Sequence, residues 1–143
     1  MEWFARFASL GPVLGWLIVA GYVLAVLNNP VKWIHKRWVS KRPAASRFRK
    51  AYAAVMKVVV RYHRWFAMLA TTAMILHFLI QFSQYGLYVS GIVTGGLMLA
   101  QGSLGAYGTY VRQKRRTAWF YVHRTVAVLL VPAMAFHIFV GRI

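Results

Sequence analysis

Five histidines and eighteen Lys and Arg residues carry almost all the reactive chemistry of this chain of 143 residues, which has no cysteine and one acid, Glu2. His63 and His77 bracket HRWFAMLATTAMILH, and His123 and His137 bracket HRTVAVLLVPAMAFH. The spacing within each pair is fourteen residues. On a helix that is nearly four turns, so both imidazoles of a pair point the same way, about 21 Å apart along the axis. That distance rules out one metal ion shared by two histidines of the same helix. It suits two separate sites at two levels.

The segments that must position these residues are strongly apolar. The chain is 60% hydrophobic, and the apolar residues come in runs near the roughly 20 residues that cross a bilayer. Spans are expected at about 10–27, 52–82, 87–110 and 118–140, with the second helix starting earlier, near Ser46, and projecting beyond the membrane. The first run reads as a span and not a cleaved signal: an acid precedes it, and LNNP is a poor small-residue cleavage site. Pro12 fits a first helical turn, and NNP is expected to end span one. Residues 31–50 read as an interfacial segment, with Val31, Ile34 and Trp38 on one face toward lipid headgroups. Pro43 ends that segment, and Ser46 is an expected N-cap. Pro132 is expected to kink span four.

The net charge of +17 would ordinarily suggest nucleic acid. Here the bases flank spans. Eleven lie from Lys32 to Arg64 and four in VRQKRR at 111–116, whereas the QFSQYG turn has none. Positive loops stay in the cytoplasm, which places both basic loops inside and both termini outside. No nucleic-acid partner is expected. The same surface suits anionic membrane lipids or an acidic protein.

The two histidine segments also form an internal repeat at an offset of sixty, HRxxAxLxxxAMxxH. Spans two and four run in the same direction, so His63 can face His123 on the inner side and His77 can face His137 on the outer side. Each level then presents two imidazoles from two helices. Structural zinc wants four ligands; axial ligation of haem iron wants two. With no CxxCH for covalent attachment, the expectation is two non-covalent b haems with His63, His77, His123 and His137 as iron ligands. Gly91 and Gly105, fourteen apart in span three, fall near the two levels and would admit a bulky ring. Arg64 and Arg124 follow the inner ligands and could pair with haem propionates or reach lipid phosphate. His35 has no spaced mate and reads as a headgroup contact.

These residues resemble the di-haem b-type membrane cytochromes. HRWFAMLATTAMILHF is similar to the second helix of cytochrome b in bc- and b6f-type quinol oxidoreductases, and Gly91, Gly105, His123 and His137 are similar to that family's third and fourth helices. The resemblance covers nearly the whole chain. It implies an all-α integral membrane fold, a single domain over 1–143 with four up-and-down helices around two stacked haems, in a bacterial or archaeal cytoplasmic membrane. The sidedness read from charge resembles the ferric reductase-like and NADPH oxidase membrane domains more, and cytochrome b561-type proteins share the four spans.

Three functions follow as expectations. The first is transmembrane electron transfer as the cytochrome subunit of a redox complex, with a partner subunit or an acidic electron-transfer protein at the cytoplasmic face. The second is a stand-alone quinone-linked enzyme of superoxide oxidase or ferric reductase type. The third is a haem-free structural or transport protein. The spans contain no Asp or Glu and these residues hold no nucleotide- or flavin-binding motif, which favours the first.

Overall fold

The computed structural model describes residues 7–112 and 117–140. Every regular element among them is helical: α1 (Leu10–Val26), α2 (Asn28–Arg37), a short 3-10 turn (Val39–Lys41), α3 (Arg47–Tyr85), α4 (Val89–Tyr110) and α5 (Ala118–Val140). Four stretches are long and apolar enough to cross a membrane: Leu10–Lys41, Arg47–Tyr85, Val89–Tyr110 and Ala118–Val140. They mark an integral membrane protein; the expected spans at 10–27, 52–82 and 118–140 fall within them, and the third, expected from 87, starts at Val89. Large apolar side chains such as Val128, Phe136 and Phe139 of α5 stay exposed, as suits a face solvated by lipid. Glu2, Trp3 and the bases at 114–116 lie outside the described residues.

The helix ends follow local chemistry. Pro12 sits in the first turn of α1. Helix α1 ends at Val26, next to NNP as expected, but the helical path goes on into α2. Leu27 keeps a right-handed helical backbone, its N–H reaches the Val23 carbonyl, and Val31 N–H reaches the Leu27 carbonyl, both at 3.0 Å. Pro30 falls in the first turn of α2, where its missing N–H breaks little. Helical geometry stops at Arg42, which is extended (φ −79°, ψ 154°), as the residue before Pro43 should be. Ser46 then accepts the first bond of α3, from Lys50 N–H at 3.2 Å. At 39 residues, α3 is about 58 Å long by its rise per residue, twice the hydrocarbon layer. Gly86, at φ 76°, closes α3 in the left-handed conformation that glycine adopts without penalty. Helix α5 continues through Pro132.

The chain falls into two compact units, Met1–Ile18 with Thr71–Ile143, and Val19–Ala70. In the first, α4 and α5 pack on each other, with Met98, Leu130 and Met134 buried. The Thr94 hydroxyl donates to the Ala133 carbonyl at 3.1 Å, and the Trp119 indole covers Gly108 so closely that no side chain fits there.

In the second unit, Gly21 brings α1 onto α3: a Cβ there would lie 3.2 Å from the Phe66 carbonyl oxygen and 3.1 Å from the Ala70 Cβ. The Tyr52 hydroxyl of α3 donates to the Val31 carbonyl at 3.0 Å and pins α2. His35 stacks on Tyr52, ring centres 6.2 Å apart, a neighbour the sequence reading did not foresee. The expected stripe of Val31, Ile34 and Trp38 is only partly a shared face. Val31 and Ile34 are half-buried, Trp38 is 57% exposed, and the anchor is Val39, 1% exposed. The backbone departs from α geometry at Trp38 (φ −128°, ψ −47°), and the turn that follows buries Val39. Trp33 and Trp38 then meet edge to face at 5.2 Å.

Candidate functional site

The sixty-residue repeat extends to solvent exposure. Residues 61–70 and 121–130 have the same pattern of exposed, half-buried and buried positions, residue by residue. His63 and His123 are half-buried at matching places, and so are His77 and His137. Arg64 and Arg124 are both exposed; the Arg124 guanidinium lies over the Phe120 ring, 5.4 Å from its centre.

Within the first unit, His77 of α3 meets His137 of α5. Their ring centres are 6.5 Å apart and the planes cross at 88°. Two imidazoles bound to one metal through nitrogens about 2 Å away have ring centres about 6 Å apart, so this separation fits a shared iron. His77 Nδ1 lies 2.9 Å from the Gly11 carbonyl oxygen of α1. A carbonyl can only accept, so Nδ1 carries a proton, and in the neutral ring Nε2 then keeps the lone pair that a metal needs. His137 Nδ1 lies 3.1 Å from the Ser90 hydroxyl of α4. All four spanning helices therefore meet at this level.

Glycines line it. A Cβ on Gly15 would lie 3.6 Å from His77 Cε1, and one on Gly91 would lie 3.2 Å from His137 Cε1, tighter than ordinary contact. The imidazole edges rest on helix backbone, and a larger side chain at Gly91 would crowd the His137 ring.

His123 is in the same unit. Its Cε1 is 3.5 Å from a Cβ built on Gly105, its ring centre is 6.2 Å from that of Trp119, and its Nε2 is 3.3 Å from the Gln101 amide nitrogen. Gly91 and Gly105 thus lie against the two histidines of α5. His63 belongs to the second unit, where its Nδ1 is 2.9 Å from the Ala25 carbonyl oxygen. That bond repeats the one at His77. Ala25 and Gly11 are fourteen residues apart, as are His63 and His77, so antiparallel α1 offers one carbonyl to each histidine of α3.

No protein-family model, curated protein or solved structure matches this chain. The functional reading therefore rests on the residues themselves. Among the described residues no three metal-binding side chains gather at one point, which leaves pairs of imidazoles as the donor sets. The donor chemistry fits haem: imidazoles from two helices, at least two of them with Nδ1 committed to a backbone carbonyl, beside glycines.

The sequence reading missed the α1 carbonyls of Gly11 and Ala25, as well as Gly15, Ser90 and Gln101. One signal was present, the small residues at 11 and 25 with the histidines' own spacing. Ser90 and Gln101 carry no signal beyond being polar in an apolar span.

Proposed function

We propose that this chain is a di-haem b-type membrane cytochrome that carries electrons across the membrane as a subunit of a larger redox complex. His77 and His137 would hold the outer haem, and His63 and His123 the inner one. When bound, haem supplies reversible one-electron oxidation and reduction of its iron. The observation that carries the reading is the pairing of His77 with His137 at 6.5 Å, with His77 Nδ1 tied to a backbone carbonyl.

The protein's own residues account for binding and orientation. Gly11 and Ala25 fix the tautomer of the α3 histidines, and such outer partners also strengthen a ligand as a donor. Gly15, Gly91 and Gly105 let the imidazoles sit against helix backbone. The apolar spans exclude water from the ligands. Arg64 and Arg124 stand next to the inner ligands, where guanidinium can pair with carboxylates. The eleven bases from Lys32 to Arg64, with no acid among them, favour an acidic redox partner and anionic lipid on the cytoplasmic side. The absence of any Asp or Glu in the spans supports a relay over a quinone-linked enzyme that must move protons.

The test is haem content. The chain, purified after expression with added haem, is assayed by pyridine haemochrome and by a reduced-minus-oxidised spectrum. About two b haems per chain, low-spin and removable by acid acetone, are expected from the ligand count. A colourless preparation, or a chain that takes up less than about one haem, would overturn the proposal.

A further inference from the structure

The four histidines are not held alike. His63 and His77 use their Nδ1 protons on backbone carbonyls, which substitution cannot remove. His137 instead meets a side chain, the Ser90 hydroxyl at 3.1 Å from Nδ1. The next residue, Gly91, lies against the neighbouring ring atom, Cε1. At the start of α4, Ser90 therefore contacts Nδ1 of the imidazole while Gly91 leaves its neighbour Cε1 the space it occupies.

We infer that Ser90 is the positioning residue for His137, accepting its Nδ1 proton and so reserving Nε2 for a metal. A hydroxyl can donate as well as accept. The assignment as acceptor rests on the haem reading above, because the opposite tautomer places a proton on Nε2 and blocks ligation. A hydroxyl is also a poorer acceptor than an amide carbonyl. Nδ1–H of His137 is thus less polarised than that of His77, and His137 is the weaker donor of the outer pair. The strength of that ligand is set by a replaceable side chain, so Ser90 is the point at which the outer site can be tuned separately from the inner one.

Two measurements test this. In the first, the haem-free chain labelled with 15N-histidine is studied by NMR in micelles, and the His137 signals are assigned from their loss in His137→Ala. The expected result is a proton on Nδ1 in the native chain and a mixture of tautomers in Ser90→Ala. A native His137 protonated on Nε2 overturns the inference, whatever the haem result. In the second, the potentials of the haem-loaded chain are titrated. Ser90→Ala is expected to raise the outer potential and speed loss of the outer haem about tenfold, the usual scale for an outer partner. Ser90→Thr should retain native values, and Ser90→Asp should lower the potential. Unchanged outer potentials across the series overturn the inference while leaving the haem proposal intact. A native chain with no haem signal removes the haem proposal, and the NMR result then decides Ser90 alone.

Discussion

The imidazole of His77 donates its Nδ1 proton to the carbonyl oxygen of Gly11 across 2.9 Å. The same bond joins His63 to Ala25, fourteen residues along on both helices. A helix without histidines thus sets the orientation of two. The Gly11 carbonyl can accept its bond within the helix because a carbonyl oxygen has two lone pairs, and Ala25 lies in the last turn of α1, where carbonyls lack a partner within the helix. The consequence is that α1 matters to the site through its backbone path, and changes in that path should be read out at His63 and His77.

Replacement of the histidines tests the two-level arrangement. His77→Ala and His137→Ala should each remove the same haem signal, and His63→Ala and His123→Ala should each remove the other. His35→Ala should remove neither, since its ring is occupied with Tyr52. Difference spectra and potentiometric titration of each variant distinguish the two signals. Loss of one common signal from His63→Ala and His77→Ala would sink the arrangement.

Glycine substitutions separate the site from general packing. Gly91→Leu places bulk where a Cβ already meets His137 Cε1 at 3.2 Å, and should abolish the outer haem. Gly96 has nothing within 4 Å of such a Cβ, so Gly96→Ala should retain both haems and stability. Gly108→Ala collides with the Trp119 ring and should destabilise the fold by about 1–3 kcal/mol, the range for overpacking. Haem content and thermal unfolding in detergent are the measurements. Equal haem retention in Gly91→Leu and Gly96→Ala would remove Gly91 from the site.

How much of this was legible follows from which atoms do the work. The spans were readable because long apolar runs have few alternatives, and spans three and four end within two residues of expectation. The face of His77 was readable because a side chain's direction follows from its helical phase. The hydrogen-bond acceptors were not. Gly11 and Ala25 act through carbonyls, which every residue carries, so their only trace in the sequence is small size at the histidines' own spacing. Ser90 and Gln101 are ordinary polar residues whose partners depend on how α4 sits on α5. The end of α1 at NNP was legible, but the helix that follows at once was not, because a proline in the first turn of α2 does not interrupt the path before it. The inward turn of Val39 arises from a backbone change at Trp38 that periodicity cannot anticipate.

Sidedness is tested by single cysteines, which the native chain lacks. Lys41→Cys lies in the basic segment and Gln84→Cys near the uncharged turn. In right-side-out vesicles an impermeant maleimide should label Gln84→Cys at once and Lys41→Cys only after permeabilisation. Labelling of Lys41→Cys in intact vesicles would reverse the inside and outside levels and restore the orientation of bc-type cytochromes.

The relay is expected to need a partner. In liposomes the purified, haem-loaded chain should be reduced slowly by quinol and should not turn over rapidly with quinol, superoxide or ferric chelate. An acidic redox protein or a co-purifying subunit should restore turnover. Because eleven bases cluster from Lys32 to Arg64, that restoration should weaken as salt rises, the Debye length falling from about 30 Å at 0.01 M to about 8 Å at 0.15 M. Charge reversal at Lys36 and Arg37 of α2, which are exposed, should weaken it further at low salt and have little effect at high salt. Stopped-flow rates against ionic strength separate this steering from a lipid effect, since the lipid is held constant. Fast, saturable turnover with one small substrate and no second protein would defeat the relay and establish the chain as an enzyme in its own right.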